Sequence, residues 1–506
     1  MNFIDNLELG FTVALSAQHL WYCLMGVFLG TLIGVLPGIG PLATIAMLLP
    51  ITYALTPTAA LIMLAGIYYG AQYGGSTTSI LVNLPGESAS VVTCIDGYQM
   101  AKKGRAGPAL AIAAVGSFIA GTIGTMLIAF AGPPLAEMAL KFGPAEYFSL
   151  MVMGLVSSAV LAHGSLLKAL CMITLGLLLG IIGTDVNSGV ARFSFGISEL
   201  SDGFGFVVVA MGMFGFAEIA KNLQGRSLGA RDVLTDKITG LMPTWVDFKV
   251  CIPAILRGSA IGAFFGTLPG AGPTISAFSS YALEKKLADD PSRFGEGAIE
   301  GVAGPESANN AAAQCAFIPT LTLGIPGSGT MALMLGAMMI QGIAPGPQVM
   351  TSNPDLFWGL IVSMWIGNSM LLVLNLPLVG LWVQLLKVPY RYLFPAIMCF
   401  MGIGVYSLNN LAFDVYFVAV FGVLGYVFIK LKCEPAPMIL AFILGPLMEE
   451  YLRRALLLSR GDPMTFITRP LSAAFLIASA LALLAILVPM VRKKRELVTA
   501  DDDDAK

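Results

Sequence analysis

The chain has 506 residues, of which 57% are hydrophobic and 11% are charged, and its formal net charge at pH 7 is −2. Soluble domains carry about 25% charged residues, so this composition excludes an ordinary soluble protein and predicts many membrane spans. There is no basic surface of the kind that binds nucleic acid. With only two histidines, a histidine-based metal centre is not expected, and no cofactor is predicted.

Apolar runs long enough to cross a bilayer occur along the whole chain. The first of them is too long for a signal peptide and follows an acidic N-terminus, so we expect it to stay in the membrane. We predict an all-α polytopic membrane protein with about 10–12 transmembrane segments, some of them incomplete. The predicted spans are 18–36, 108–131, 145–163, 165–183, 204–220, 250–268, 355–383, 393–408, 412–430, 435–448 and 470–491.

Two stretches of the chain repeat one another. At 26–41 an apolar segment with glycine at every fourth position runs into a Pro-Gly-Ile-Gly-Pro break, and 258–273 has the same glycines before Pro-Gly-Ala-Gly-Pro. A second pair of Pro-Gly breaks follows at 85–86 and 326–327. Paired, interrupted hydrophobic segments at matching positions of two halves are typical of secondary transporters and point to their binding sites.

The charges predict how the two halves are arranged. Basic residues follow the second break of the first half, at 102–105, but follow the first break of the second half, at 284–293. Lysine and arginine mark cytoplasmic loops, so this alternation favours inverted repeats with broken helices or re-entrant hairpins. The predicted organisation is a first membrane repeat (1–220), a cytoplasmic linker (221–250), a second membrane repeat (251–495) and a disordered acidic tail (496–506).

The breaks are the predicted site. Proline ends a helix, glycine permits the turn that follows, and the resulting half-helix N-termini suit an anion whereas the carbonyl ends suit a small cation. The predicted substrate-binding residues are Ser76, Thr77, Thr78, Asn83, Pro85, Gly86, Glu306, Asn309, Asn310, Pro326, Gly327, Ser328, Gly329 and Thr330. The predicted ion-coupling residues are Gly38, Gly40, Gly270, Gly272, Glu87 and Glu306, with Na⁺ at the hairpin breaks as the candidate metal.

Plainer interpretations compete with these. For the glycine ladders, close helix packing is the better explanation, while for the Ser, Thr and Asn clusters a substrate or ion site is favoured. Glu306, Glu87 and Asp96 could be functional acids inside the membrane or caps of helix N-termini at its surface, and both readings stay open. Asp185 and Asp202 are read as turn formers outside the membrane.

These motifs resemble the large membrane subunit of the tripartite tricarboxylate transporter family, TctA. The resemblance extends over about 10–490, with Gly-Pro-Glu-Ser at 304–307 where related sequences have Ala-Pro-Glu-Ala. The matching pieces are 34–41, 73–86 (Tyr-Gly-Gly-Ser-Thr-Thr-Ser-Ile-Leu-Val-Asn-Leu-Pro-Gly), 96–100 (Asp-Gly-Tyr-Gln-Met), 142–148, 189–196, 268–272, 284–286, 301–310 (Gly-Val-Ala-Gly-Pro-Glu-Ser-Ala-Asn-Asn) and 323–329 (Leu-Gly-Ile-Pro-Gly-Ser-Gly).

The resemblance implies a multi-pass protein of the bacterial inner membrane that imports organic anions, such as citrate and other tri- or dicarboxylates. It implies two partners, a small membrane subunit of the TctB type and a periplasmic substrate-binding protein of the TctC type. A Na⁺ or H⁺ gradient would drive transport by alternating access, and the sequence has no Walker A motif for ATP.

Three other functions are weighed against this one. The first is a stand-alone cation-coupled carboxylate carrier that needs no binding protein. The second is an intramembrane enzyme, for which the spans lack a catalytic Ser/Lys, paired-Asp or H-E-x-x-H constellation. The third is a passive channel, against which the discrete Pro-Gly breaks argue. We therefore predict a transporter and no enzyme activity.

Overall fold

Helix makes up nearly all of the regular structure. The computed structural model describes residues 3–36, 38–162, 165–185, 188–225, 240–268, 272–386, 388 and 390–503. Within these ranges the regular elements are helices, apart from one hairpin of two short antiparallel strands, β1 (Gly183–Thr184) and β2 (Ala191–Arg192). The prediction of an all-α polytopic membrane protein is confirmed.

The first half holds ten α-helices among the described residues, and the last two are joined by a π-helical segment, Met211–Phe216. A 3-10 turn, Ser198–Asp202, precedes that pair. The helices are α1 (Phe3–Ala14), α2 (Ala17–Gly34), α3 (Pro41–Thr52), α4 (Pro57–Val82), α5 (Val91–Lys102), α6 (Ala106–Ala139), α7 (Pro144–Leu161), α8 (Leu166–Gly180), α9 (Phe206–Ala210) and α10 (Ala217–Gly225).

The second half begins with a helix that Thr244 caps together with Asp247, each side chain bonding the other residue's backbone N–H. A 3-10 turn, Pro291–Arg293, follows the second helix. The helices are α11 (Trp245–Thr267), α12 (Gly272–Leu287), α13 (Glu300–Cys315), α14 (Phe317–Leu323), α15 (Gly329–Ile340), α16 (Gln348–Ser352), α17 (Pro354–Asn375), α18 (Val379–Leu386), α19 (Tyr390–Asn409), α20 (Ala412–Lys430), α21 (Ala436–Leu458), α22 (Thr465–Thr468) and α23 (Pro470–Asp503).

Many of these helices are apolar enough for a bilayer. Six helical stretches in the described part of the chain have the length and hydropathy of a full span. They are Ala17–Gly34, Ala106–Ala139, Phe206–Gln224, Trp245–Thr267, Pro354–Asn375 and Ala412–Lys430. Six shorter apolar helices accompany them: Pro41–Thr52, Pro144–Val160, Leu166–Gly180, Gly329–Ile340, Phe394–Asn409 and Pro470–Ala485. The shorter helices match the expectation that some crossings are incomplete.

Two helices, one from each half, form the centre of the molecule. Every residue of α4 from Thr58 to Leu81 is buried, and so is every residue of α13 from Gly301 to Cys315. Both are rich in small and polar residues, whereas the apolar residues that face the surroundings lie on the outer helices. Polar groups buried this deeply need partners inside the protein, and the two helices therefore concentrate its buried polar contacts.

The glycine ladders pack these central helices against their neighbours. A Cβ at Gly266 would lie 2.5 Å from the Ala312 carbonyl oxygen, so only glycine allows α11 to approach α13 this closely. The same contact recurs at every rung: Gly26, Gly30 and Gly34 of α2 face Met63, Ile67 and Ala71, and Gly258, Gly262 and Gly266 of α11 face Gly304, Ala308 and Ala312. The packing interpretation of both ladders is confirmed.

Several predicted boundaries differ from the structure. The linker 221–250 is helical at both ends, because α10 continues to Gly225 and α11 begins at Trp245, and 226–239 lies outside the described residues. The single span expected at 355–383 is two helices, α17 and α18. Helix α23 continues to Asp503, through most of the segment for which the sequence predicted disorder. The inverted direction of the two halves stays a prediction.

The hairpin β1–β2 is held by ion pairs to α21. Asp185, directly after β1, lies 3.2 Å from Arg453 and 4.0 Å from Arg192, and Arg192 in turn lies 2.9 Å from Glu449. Asp185 also accepts a hydrogen bond from Ser188 inside its own turn. It is therefore a turn residue, as predicted, but it also links the hairpin to α21.

Candidate functional site

All four breaks line one cavity. Its volume is about 430 Å³, within the range of small-molecule sites. The break residues that line it are Gly38 and Gly40 to Ala43 from the first, Pro85 to Ser88 from the second, Gly272 to Thr274 from the third, and Pro326, Ser328, Gly329 and Thr330 from the fourth. Breaks that are far apart in the chain therefore form a single site.

Helix N-termini surround this cavity. The first residues of α3, α12 and α15 line it, as do Ser88 and Val91 at the start of α5 and Ala436 and Pro437 at the start of α21. First-turn N–H groups have no partner within their own helix and carry a partial positive charge, which favours a bound anion. Among the described lining residues the one basic side chain is Lys221, whose Nζ lies 2.9 Å from Glu218. Backbone groups are thus the main source of positive potential.

The first break of each half turns through a glycine with a left-handed backbone. Gly38 has φ of +81° and Gly272 has φ of +56°, a region that residues with a Cβ adopt at a cost. Gly40 caps α3, and its carbonyl oxygen accepts both the N–H and the hydroxyl of Thr44, at 3.0 and 2.9 Å. That oxygen already has two donors and is not available as an ion ligand. Gly270 lies outside the described residues.

The second breaks match one another as well. Asn83 ends α4 and Gly324 ends α14, both in the left-handed region with φ of +54° and +70°. Gly86 then touches the backbone of α4 so closely that an added Cβ would collide with Gly75. These contacts explain which residue types occupy the breaks. Asn and Gly tolerate the left-handed backbone at the end of a helix, and glycine lets the chain after the break pass close to that helix.

Around the fourth break, Pro326, Ser328, Gly329 and Thr330 line the cavity, and Gly327 does not. Ser328 caps α15 by accepting the N–H of Met331 at 3.2 Å. The hydroxyl accepts this bond, so its own proton stays available as a donor at the cavity wall. The exposed Asn83 lies at the end of α4 and does not line the cavity.

Glu87 connects the cavity to the buried centre. It lines the cavity and is half-buried, and its Oε1 accepts a hydrogen bond of 2.9 Å from the Asn309 amide of α13. Its backbone N–H donates to Ser90 at 3.1 Å, so Glu87 belongs to the turn that leads into α5. A carboxylate from the first half is thus held by an amide from the second.

Glu306 lies in the middle of α13 with 1% of its surface exposed, so the alternative that it caps a helix at the membrane surface is wrong. Its two carboxylate oxygens accept hydrogen bonds from Ser76 of α4, at 2.7 Å, and from Thr93 of α5. No ion pair involves Glu306 in the described part of the chain. It is a buried acid between the two halves, held by hydroxyl groups.

The remaining predicted residues lie on the central helices, away from the large cavity. The Thr77 hydroxyl donates a hydrogen bond to the backbone carbonyl of Tyr73, one turn earlier. The single proton of Thr78 points to the Val35 carbonyl at 2.6 Å, with the carbonyl one turn earlier at 3.2 Å, and the Ser76 hydroxyl, which donates to Glu306, also lies 3.2 Å from the carbonyl one turn earlier. Asn310 donates a hydrogen bond of 2.7 Å to Ser117 of α6. The structure therefore divides the predicted substrate residues between the cavity and a buried polar layer behind it.

Asp96 is a structural anchor and not a surface cap. It is fully buried, and its Oδ1 accepts the backbone N–H groups of Gly295, Gly297 and Ala298 at 2.9, 2.7 and 2.9 Å. Its Oδ2 accepts the hydroxyl of Tyr281 at 2.9 Å. Three of these bonds tie α5 of the first half to the loop that joins α12 to α13 in the second, and the fourth ties it to α12 itself.

Other lining residues were not singled out from the sequence. They come from α4, α7, the π-helical segment, α10 and the segment before α21: Tyr68, Ser158, Phe214, Glu218, Lys221 and Glu434. None belongs to a break or a repeated motif. A single sequence carries no signal for them, because they reach the cavity through the packing of distant helices.

Comparison with known proteins shows the family of the chain. The sequence profile of the "Tripartite tricarboxylate transporter TctA family" matches residues 20–440. The chain belongs to the tripartite tricarboxylate transporter TctA family. This membership makes it a transporter subunit, and its apolar helices make it a multi-pass membrane protein.

Two relatives of this TctA-family chain come from Agrobacterium vitis. One is described as an uncharacterized 52.8 kDa protein in the TAR-I ttuC' 3' region and is 57% identical over 503 residues, 99% of this chain and 100% of the relative. The other, an uncharacterized protein in the TAR-II ttuC' 3' region, is 57% identical over 242 residues, 48% of this chain and 100% of the relative. No solved structure matches the chain.

Proposed function

We propose that this chain is the large membrane subunit of a binding-protein-dependent secondary transporter. It imports organic anions, tricarboxylates or dicarboxylates such as citrate, across the bacterial inner membrane by alternating access, driven by a Na⁺ or H⁺ gradient. The observation that carries the proposal is the cavity of about 430 Å³ on which the first turns of α3, α5, α12 and α15 open.

The cavity suits a carboxylate substrate for an electrostatic reason. N–H groups of helix first turns bind carboxylates and phosphates without a lysine or arginine. Several helix starts around one cavity can engage several carboxylates of one molecule. Glycines at the breaks leave the backbone open to a ligand, because no side chain shields it.

The acids near the cavity support coupling to a cation. Glu87 lines the cavity, and Glu306 lies behind it with Asn309 on the same face of α13, one turn further on. Carboxylates inside a membrane protein mark ion or proton pathways, because an isolated buried charge is costly. Glu87 and Glu306 are the residues that we assign to coupling.

Two partners belong to the proposal: a small membrane subunit of the TctB type and a periplasmic binding protein of the TctC type. The support is the family itself, whose name describes a tripartite system. The binding protein would deliver the anion to the side of the membrane on which the cavity opens.

The test is uptake of radiolabelled citrate, other tricarboxylates and dicarboxylates by cells lacking endogenous carboxylate transport. The chain is expressed alone or with its small subunit and binding protein, at several external Na⁺ concentrations and pH values. Uptake that needs all three components supports the proposal. Uptake by the chain alone would support the second candidate, a stand-alone carrier, and failure to transport any carboxylate in either case contradicts both.

A further inference from the structure

A second, much smaller cavity lies in the buried polar layer. Its volume is about 10 Å³, close to that of one water-sized sphere. It lies between α4, α6, α13 and the end of α17, and is lined by Tyr73, Ser76, Thr77, Leu110, Ala113, Ala114, Ser117, Glu306, Asn375 and Leu376. None of these residues lines the large cavity, so the two sites are separate.

Oxygen atoms dominate the polar lining of the small cavity. The polar lining residues are Glu306, Ser76, Thr77, Ser117, Asn375 and Tyr73, each of which carries an oxygen atom in its side chain. Asn375 is 7% exposed, and its Oδ1 is buried and has no hydrogen-bond partner among the described residues. A buried carbonyl oxygen without a donor is costly, so a positively charged or hydrogen-bonding occupant would stabilise it.

The charge of the cavity points to a cation. Glu306 accepts hydrogen bonds from Ser76 and Thr93, and the described residues give it no lysine or arginine partner. A carboxylate buried with hydroxyl partners alone has no compensating charge, so it is neutralised either by a proton or by a bound cation. A cavity that has one carboxylate and space for a single small ion suits a monovalent cation. Mg²⁺ keeps several waters and Ca²⁺ takes six to eight oxygens, so neither fits.

We propose that this cavity binds one Na⁺ ion, held by the Glu306 carboxylate, the Asn375 amide oxygen and the Ser76, Thr77 and Ser117 hydroxyls. The inference rests on the proposed function, since it supplies the coupling ion. The site uses α4 and α6 of the first half and α13 and α17 of the second, so the ion bridges the two halves.

The site is connected to the large cavity by one side chain. Asn309 lies one helical turn after Glu306 on α13. Its amide donates a hydrogen bond to Glu87, which lines the large cavity. A cation at Glu306 fixes this part of α13 and with it the position of Glu87. Occupation of the small cavity is thereby linked to the geometry of the substrate cavity.

The test is cation-dependent thermal stability of the purified full-length chain, without substrate. Melting temperature is measured across a NaCl series at each of several pH values, with choline chloride keeping the ionic strength constant and with KCl as a second cation. We expect a saturable rise specific to Na⁺. Ser117→Ala and Asn375→Leu each remove one ligand oxygen and should raise the Na⁺ concentration at half-effect about tenfold.

Ser307→Ala is the matched control. Ser307 is adjacent to Glu306 and fully buried, and its hydroxyl has no hydrogen-bond partner in the part of the chain that the structure describes, but it does not line the small cavity. It should keep the wild-type Na⁺ response. If Asn375→Leu does not fold, Ser117→Ala, which removes a single oxygen atom, carries the test.

Three results overturn the inference: equal stabilisation by Na⁺, K⁺ and choline, an unchanged Na⁺ response in both variants, or a stability that follows pH and not Na⁺. The last would assign a proton to Glu306. These readouts are independent of uptake. If the protein takes up carboxylates but its melting temperature does not depend on Na⁺, only the ion site is contradicted. If Na⁺ raises the melting temperature but no carboxylate is taken up, only the proposed function is contradicted.

Discussion

The amide of Asn309 donates a hydrogen bond of 2.9 Å to the carboxylate of Glu87, and the two residues come from different halves of the chain. Glu87 lines the large cavity, while Asn309 lies in the fully buried helix α13. The bond therefore joins the wall of the cavity to the polar layer behind it.

Replacing this amide should impair transport more than folding. Asn309→Leu removes the hydrogen bond to the Glu87 carboxylate, and such a bond to a charged group contributes about 1.5–3 kcal/mol. We therefore expect uptake per folded protein to fall about tenfold or more. The control is Asn409→Leu, which breaks a comparable amide–carboxylate bond of 2.8 Å to Asp414, a pair away from the cavity. Equal loss of uptake in both variants would contradict a role for the Glu87–Asn309 bond.

The glycine ladders should respond to a single methyl group. Gly266→Ala and Gly34→Ala place a Cβ against the facing carbonyls of Ala312 and Ala71, so we expect each to lower stability by about 1–3 kcal/mol. Gly402→Ala, within α19, meets no atom within 4 Å and should leave the melting temperature unchanged or slightly raised. Melting of the purified protein in detergent measures this, and three equal melting temperatures would contradict the packing.

The two glycines at the first breaks should differ in sensitivity. Alanine at Gly38 has two costs. Its Cβ would lie 2.7 Å from the Asn222 Oδ1, and its backbone would be strained at φ of +81°. At Gly272 the nearest atom among the described residues is the Ser328 Cβ at 3.8 Å, so we expect alanine to cost only the strain of about 1–2 kcal/mol. Gly38→Ala should therefore destabilise the protein more than Gly272→Ala, and the reverse order of melting temperatures would show that the turn is built differently.

Removing the charge of Asp96 should loosen the loop before α13. In Asp96→Asn, three backbone N–H groups lose a charged acceptor, at a cost of about 2–3 kcal/mol. We expect faster hydrogen exchange at residues 295–298. Asp290→Asn is the control, because Asp290 lies in the same loop but bonds only Ser292 in the described residues. Unchanged exchange at 295–298 in Asp96→Asn would exclude the anchor.

A bulky side chain at Ser328 should block the substrate cavity. Ser328→Leu fills space next to the start of α15, so we expect uptake to be lost while the protein still reaches the membrane. Ser407→Leu, on the exposed face of α19, should transport normally. Near-normal uptake by Ser328→Leu would refute the cavity as the substrate site. The same change at Asn310 should also reduce folding, because Asn310 is fully buried and does not line this cavity.

The parts of the structure that follow local backbone rules were predictable from the sequence. Proline removes a donor and glycine allows a left-handed turn, so the breaks at 37–41 and 85–86 could be located without a structure. Glycine at every fourth position indicates close packing on any helix, and the contacts of Gly34 and Gly266 confirm it.

The contacts between helices were not predictable in this way. Polar residues of the breaks and of the central helices look alike in the sequence, but packing places break residues such as Ser328 at the large cavity and Ser76, Thr77 and Glu306 at the small one. Asn375 was missed, although 375–377 repeats the Asn-Leu-Pro letters of 83–85. Lys221 was placed in a linker because a lysine at the edge of an apolar run suggests a loop, whereas α10 carries it to the cavity wall.

The cavity on which the helix starts open belongs to neither half of the polypeptide. Two of its four breaks come from residues before 226–239 and two from residues after it. The two halves are therefore like two different subunits joined into one polypeptide. A product that contains one half has only two of the four breaks that line the cavity. A cut within 226–239 should therefore abolish uptake when either piece is made alone and restore it by complementation when both are made together.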